Sequence, residues 1–248
     1  MKKIIFLLFI SVVTFAQFKF QRCLPDRYYT LYIAGDDGVA RNTAYNGTAI
    51  TANGIYKADS AKFGRKCLGI NGEVSTQFYT EGAIYDPLNY DFTMELWAMA
   101  TKAGYANNGT WRYMIGNGYR TGYQPIQFSF NNYGLYEINI YNSNSSNNSW
   151  VFDSYSYNTL ANKMPLYTWV HIAESRKGDS VFVFVNGKLE IKAYVSGAFG
   201  ANQDYNMYFG GLPGLAPHYQ NGFVGLMQHI RFTKGVARYT SNFVPNKP

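Results

Sequence analysis

Histidine and cysteine are scarce in this 248-residue chain, at three and two residues, and acidic side chains number only 15. Three scattered histidines and two cysteines supply no zinc cluster, and neither a His-x-x-x-His pair nor an EF-hand loop is present. The acids form no Glu-x-Asp-x-x-Glu run, so the paired carboxylates that glycosidases need have no evident source. A Gly-x-Ser-x-Gly elbow is also missing, which removes the usual signal of an α/β-hydrolase nucleophile. No stretch sustains apolar residues at i, i+3, i+4 and i+7 for several turns, which argues against a helical protein. Beyond the first 16 residues no apolar run approaches the length of a membrane span.

What the chain does have is apolar mass and turn formers. Hydrophobic residues make up 47% and charged residues 15%, a composition that folds, and 24 glycines with 23 tyrosines suit many short strands joined by tight turns. An all-β protein is expected. At the N-terminus, Lys2 and Lys3 precede the apolar run Ile4–Ile10, and Thr14-Phe15-Ala16 offers small residues where a signal peptidase reads. This predicts a Sec signal peptide over 1–16, an N-terminal segment over 17–27 and one sandwich over 28–248. The mature chain is expected to be secreted, periplasmic or on the cell surface, with no membrane span after cleavage. Phe20-Gln21-Arg22 before Cys23 is no lipobox. An oxidising compartment permits a Cys23–Cys67 disulfide, but the sequence does not decide the pairing.

The formal net charge is +7, yet the basic residues stand singly apart from Arg65-Lys66 and Arg176-Lys177, both beside turn glycines. That pattern predicts no nucleic-acid partner, since phosphate binding needs a basic stripe. Glu174 and Asp179 flank the second turn and read as solvated charge.

Strands are expected over Tyr28–Gly35, Ala61–Gly72, Asp91–Met99, Arg112–Ile115, Ile126–Phe130, Tyr136–Tyr141, Thr168–Glu174, Val181–Val185, Lys188–Ala193 and Phe223–Phe232. In Asp91–Met99 the residues Phe92, Met94, Leu96 and Ala98 share one side, as a sheet with one buried face requires. Asn186-Gly187 is a strong hairpin signal because both turn positions need positive φ. Asn142–Ser149 is polar throughout and reads as a loop.

The order of DFTMELW, YTWVHIAESRKGDSVFVFVNGKLE, YFGG and GFVGLMQHIRFTKGVARYTSNF resembles bacterial and phage laminin-G-like, concanavalin A-like domains, over roughly Tyr29 to Phe243. The resemblance implies a two-sheet antiparallel jelly-roll sandwich and a role in binding rather than catalysis. It makes Trp97 and Trp169 core residues and His171 a packed structural histidine. It also implies Ca2+ at a sandwich rim, for which Asp36 and Asp37 are the best carboxylate pair. One departure is Gln228-His229, where the family often carries paired acids.

Aromatic residues are 18% of the chain, and those in loops offer flat faces to sugars. Trp111 and Trp150 are the first candidates for ligand binding, followed by Tyr119, Tyr123, Tyr155, Tyr205, His218 and Tyr219. The expected function is an exported carbohydrate-recognition or adhesion module that binds a glycan or cell-surface polysaccharide. The alternative is a structural protein such as a phage virion fibre or decoration component, acting through a homo-oligomer or assembly partner. A glycoside hydrolase on the same fold is the third reading.

Overall fold

The alternating segments fold into two antiparallel sheets. The computed structural model describes residues 29–44, 49–52, 55–72, 78–80, 90–102, 112–117, 126–131, 137–144, 149–154, 160–195, 199, 206–211 and 222–245. Among the described residues there are fifteen strands and no α-helix. They are β1 (Tyr29–Ile33), β2 (Ile50–Ala52), β3 (Tyr56–Ala58), β4 (Cys67–Asn71), β5 (Phe78–Thr80), β6 (Phe92–Ala100), β7 (Arg112–Asn117), β8 (Gln127–Asn131), β9 (Glu137–Asn144), β10 (Ser149–Asp153), β11 (Val170–Lys177), β12 (Ser180–Val185), β13 (Lys188–Tyr194), β14 (Met207–Phe209) and β15 (Val224–Lys234). One sheet runs β13-β12-β11-β6-β15-β4-β3, with β1 also paired to β15. The other runs β10-β9-β8-β7-β14-β5-β2.

Strand periodicity decides what lies between them. Phe92, Met94, Leu96, Ala98 and Ala100 of β6 enter one core with Ile172, Val183, Ile230 and Phe232 of the same sheet. Phe128, Phe130, Ile138, Ile140 and Phe209 enter it from the second sheet. The two-sheet sandwich expected from the sequence is therefore present. Each fully buried side chain of this size contributes about 1.5–3 kcal/mol relative to exposure.

The outer face of the first sheet carries the residues of opposite parity and is covered by coil. The 59–66 segment sets Phe63 edge-on to Trp97 at 5.5 Å and Lys62 Nζ over the indole at 4.7 Å. Trp169 Nε1 donates to Ser60 O at 3.1 Å. Of the two tryptophans expected in the core, Trp97 is buried and Trp169 half-buried, both under coil on the outer face of the sheet and not between the sheets. At the other end, Tyr239 and Phe243 of the C-terminal segment pack on Ala173, Phe182 and Phe184. Arg238 N donates to Thr93 Oγ1, Phe243 N to Gly187 O, and Leu189 N to Asn242 Oδ1, which ties that segment to β6, the β12–β13 turn and β13.

The Asn186-Gly187 turn forms as expected, with φ of 51° and 76°. It has a second role, because a methyl at Gly187 would run into the carbonyl oxygen of Phe243. Gly187→Ala should cost about 1–2 kcal/mol from backbone strain alone. Faster proteolysis of the C-terminal segment should accompany the lower Tm, whereas a melt with an unaltered segment would show that the crossing can relax.

Three local expectations change. Of the strand expected over 61–72, only Cys67–Asn71 forms one, as β4, and 61–66 is coil. Asn142, expected in a loop, is buried within β9, which continues to Asn144 and pairs through Ser149↔Asn144 and Trp150↔Ser143 with β10. Backbone ladder bonds extend a strand past its last apolar residue, and polarity alone did not mark that end. Glu174, expected to be solvated, is fully buried on β11, as is nearly all of Arg176. The strand runs three residues further than expected, to Lys177, and the turn falls on Gly178-Asp179.

Candidate functional site

β15 is longer than either strand beside it, and this creates the rim. Val224–Met227 pair with β4, whereas Ile230–Thr233 pair with β1. The change of partner falls on a bulge at His229, whose φ is +49° and whose backbone N–H donates to Ala34 O. A bulge re-aims side chains, and here it turns both Gln228 and His229 towards the cleft between β1 and β4.

The chain leaving β1 wraps over that cleft. Gly35 and Gly38 both have positive φ, and Gly38 N donates to Gly35 O, closing a tight turn. Asp37 Oδ1 accepts from Val39 N at 3.0 Å, and the other carboxylate oxygen pairs with Arg41. That pairing holds the Asp37 carboxyl below its ordinary range. Asn42 Oδ1 accepts from both Tyr32 N and Ala44 N, and Thr43 N donates to Tyr32 O, so the loop is clamped at its far end. The result is a shallow open depression of about 260 Å³ lined by Gly35, Asp36, Asp37, Val39, Arg41 and Thr43. It offers an acceptor and a donor side by side, both half-exposed, over a small apolar patch.

Behind the loop, Asp36 faces inward. Its Oδ1 accepts from Gln228 Nε2 at 3.1 Å and lies 3.0 Å from His229 Nε2, off the line a hydrogen bond needs. His229 Nδ1 is 2.9 Å from the Tyr32 hydroxyl, and Phe63 meets the imidazole edge-on at 5.0 Å. Asp36 and Asp37, adjacent in sequence, therefore answer to different partners. Among the described residues no three His, Cys, Asp or Glu side chains converge to hold a metal.

Two more carboxylates are buried. Glu95 on β6 accepts from Arg231 Nε at 2.7 Å, from His171 Nε2 at 3.1 Å and from the Tyr239 hydroxyl at 3.1 Å. Burial pushes its pKa up, but the His171 hydrogen bond and the Arg231 charge outweigh this and hold it below the usual range. Glu174 on β11 shares the parity of Val170 and Ile172 and points into the sandwich, where Asn142 of β9 lies against it outside good hydrogen-bond geometry. The two strands are neighbours, with Ala173↔Glu95 and Glu174↔Met94 in register. Adjacent positions on a sheet project to opposite faces, so the two carboxylates are separated by the sheet itself. Retaining glycosidases need such groups about 5 Å apart across one substrate.

Trp111, Tyr119, Tyr123, Tyr155, Tyr205, His218 and Tyr219 lie outside the described residues, as do 1–16 and Cys23. Trp150 is on β10, but its side chain is outside them too. Cys67 is buried, its thiol 3.6 Å from Ala58 O, and burial with the nearby Asp59 charge raises its pKa to about 11. Arg41, Gln228 and Arg231 were not among the expected site residues. Gln228 carried a signal, its departure from the acidic pattern, whereas Arg41 and Arg231 looked like the other isolated basic residues. Among the described residues no helix is long and apolar enough to cross a membrane.

The sequence profile of the concanavalin A-like lectin/glucanases superfamily matches residues 72–237. No curated protein matches the chain in sequence. Among solved structures, the binding domain of Paraclostridial Mosquitocidal Protein 1 superposes with TM-score 0.64 at 10% identity, over 86% of this chain and 50% of that one. Domain 4 of AbnA, a GH43 extracellular arabinanase from Geobacillus stearothermophilus, in complex with arabinotriose, superposes with TM-score 0.59 at 18% identity, over 84% of this chain and 93% of that one. The Botulinum Neurotoxin serotype G binding domain follows with TM-score 0.62 at 10% identity, over 85% and 48%. The chain spans about half the length of the two toxin binding domains.

Proposed function

Because the chain belongs to the concanavalin A-like lectin/glucanases superfamily, we propose that it is an exported, non-catalytic module that binds carbohydrate at a cell surface. The observation that carries this reading is the structural superposition, over most of both chains, on a domain in complex with arabinotriose. The opposed faces of Glu95 and Glu174 support the non-catalytic part, since neither carboxylate can reach the other's substrate. The Asp37–Arg41 depression supplies what a sugar hydroxyl pair needs, an anionic acceptor beside a guanidinium donor on a clamped loop. Trp111 and Trp150 remain the proposed stacking residues.

The test is a glycan array that includes arabino-oligosaccharides, followed by titration of the best hit. Removing one charged hydrogen-bonding partner costs about 1.5–3 kcal/mol, so Arg41→Ala and Asp37→Asn should each weaken binding by about tenfold or more. Trp111→Ala and Trp150→Ala should do the same if those rings stack on the sugar. Binding untouched by all four substitutions would remove this site. A blank array with folded protein would remove the carbohydrate reading and favour a role in assembly.

A further inference from the structure

The side chain of Gln228 makes an unusual set of bonds. Its Oε1 accepts from Lys62 N at 2.8 Å and Phe63 N at 3.1 Å. Its Nε2 faces three oxygens, Phe63 O and Lys66 O at 2.9 Å each and Asp36 Oδ1 at 3.1 Å. The residue is fully buried. A carboxylate and two backbone carbonyls converging on one buried point are the donor set of a hard cation. Here an amide nitrogen stands at that point, with two N–H groups for three acceptors.

The dimensions and the charges suit the amide. Ca2+ needs oxygens at about 2.3–2.6 Å, whereas these three stand at 2.9–3.1 Å from the nitrogen, the range of N–H···O bonds. The segment providing two of the carbonyls also carries Lys62, Arg65 and Lys66, and the ring nitrogen of His229 approaches the one carboxylate. Lys66 N donates to Asp36 O, closing the same junction through the backbone. The Ca2+ that the family resemblance implies at Asp36 and Asp37 therefore does not fit these residues as they stand, because Asp37 pairs with Arg41 and Asp36 is taken by Gln228.

We propose that the Gln228 amide replaces a cation as the tie between the 34–37 turn, the 62–66 segment and β15, so that the rim of this chain is set without a metal. A ligand held in the depression would then bind independently of Ca2+. That consequence rests on the carbohydrate reading, but the following measurement does not.

Thermal unfolding of the full chain is recorded in EDTA and in millimolar Ca2+, for the wild type, Gln228→Glu and Gln228→Met. The wild-type Tm should agree within about 1 °C between the two conditions. Gln228→Glu keeps the acceptor for Lys62 N and Phe63 N but points a second carboxylate at the three oxygens. Its Tm should fall by about 5 °C in EDTA and recover most of that in Ca2+, because the added oxygen completes a cation site. Gln228→Met should fall similarly with no recovery in Ca2+. A wild-type Tm that rises several degrees with Ca2+ overturns the proposal, and so does a Gln228→Glu variant indifferent to Ca2+. Recovery of Gln228→Met in Ca2+ also overturns it, since the ion would then act elsewhere. If Gln228→Glu fails to fold in EDTA, folding on addition of Ca2+ gives the same answer.

Discussion

Replacing Arg231 by methionine should destabilise the protein by about 3–5 kcal/mol at neutral pH, most of it through Glu95. The guanidinium supplies two contacts to Glu95 Oε1, at 2.7 Å from Nε and 2.6 Å from its terminal nitrogen, and both side chains are buried on the outer face of the first sheet. Removing it leaves a carboxylate with only His171 and Tyr239, in a site that penalises charge. The double variant Glu95→Met, Arg231→Met should be far closer to wild type than Arg231→Met alone, because no buried charge is left uncompensated. The pH dependence separates the two cases further. In the wild type Glu95 has a depressed pKa, so its contribution is present above about pH 4.5 and is lost as pH falls through the folded value. In Arg231→Met the pKa should rise above the unfolded value, so acidification towards about pH 5 should restore stability instead of removing it. Urea unfolding at both pH values reads this directly. Equal destabilisation of the single and double variants would show that the stability lies in packing and not in the charge pair.

The same substitution should loosen the C-terminal segment. Arg231 also donates to the Tyr239 hydroxyl at 3.1 Å, and the Tyr239 ring stacks on Phe243 at 3.6 Å between centroids. Burial and the adjacent Glu95 charge push the Tyr239 pKa well up, so this hydroxyl stays a donor throughout the working range. One ionic cluster thus joins the middle of β6, β11 and β15 to the segment that covers them. The outer face of this sheet is as fixed as its core face, although by polar rather than apolar contacts.

This division explains what was readable from sequence. Phe92, Met94, Leu96 and Ala98 announced their face because alternation is a local property of the chain, and all four lie in the core. Asn186-Gly187 announced its turn because both residues tolerate positive φ at low cost. By contrast, β2, β3, β5 and β14 are three residues each, too short to show a period. Trp97 and His171 were correctly expected to be buried, but what buries them is coil arriving from residues 59–66 and 235–245. No local pattern encodes that arrival. Gln228 could be singled out as unusual, yet its five partner atoms come from two separate segments, the 34–37 turn and 62–66, and only the fold brings them to β15. Glu174 was misread for a related reason. A carboxylate next to a turn is solvated by default, and only the opposite sheet, with Asn142, takes the water away.

Glu174→Gln should stabilise the protein at alkaline pH, by on the order of 3 kcal/mol at about pH 8. Burial raises the Glu174 pKa from 4.5 to about 8, with Asn142 and Arg176 offsetting only part of that cost. The folded state therefore holds a proton that the unfolded chain releases above about pH 4.5. Stability from this group is fully present below the unfolded value and is lost as pH rises through the folded one, opposite in sign to Glu95. Glutamine keeps the shape and the chance of an amide contact with Asn142 while removing the titration. Wild type and Glu174→Gln should thus have nearly equal unfolding free energies at about pH 4.5 and separate progressively up to about pH 8, with the variant the more stable. Parallel curves across that interval would mean that the core carboxyl ionises without penalty, and that water reaches it through the end of the sandwich near Arg176 and Phe199, where the guanidinium lies 4.5 Å over the ring. Curves that separate in this way would establish that the sandwich interior carries a neutral acid at physiological pH, poised so that modest alkalinity weakens the contact between its two sheets.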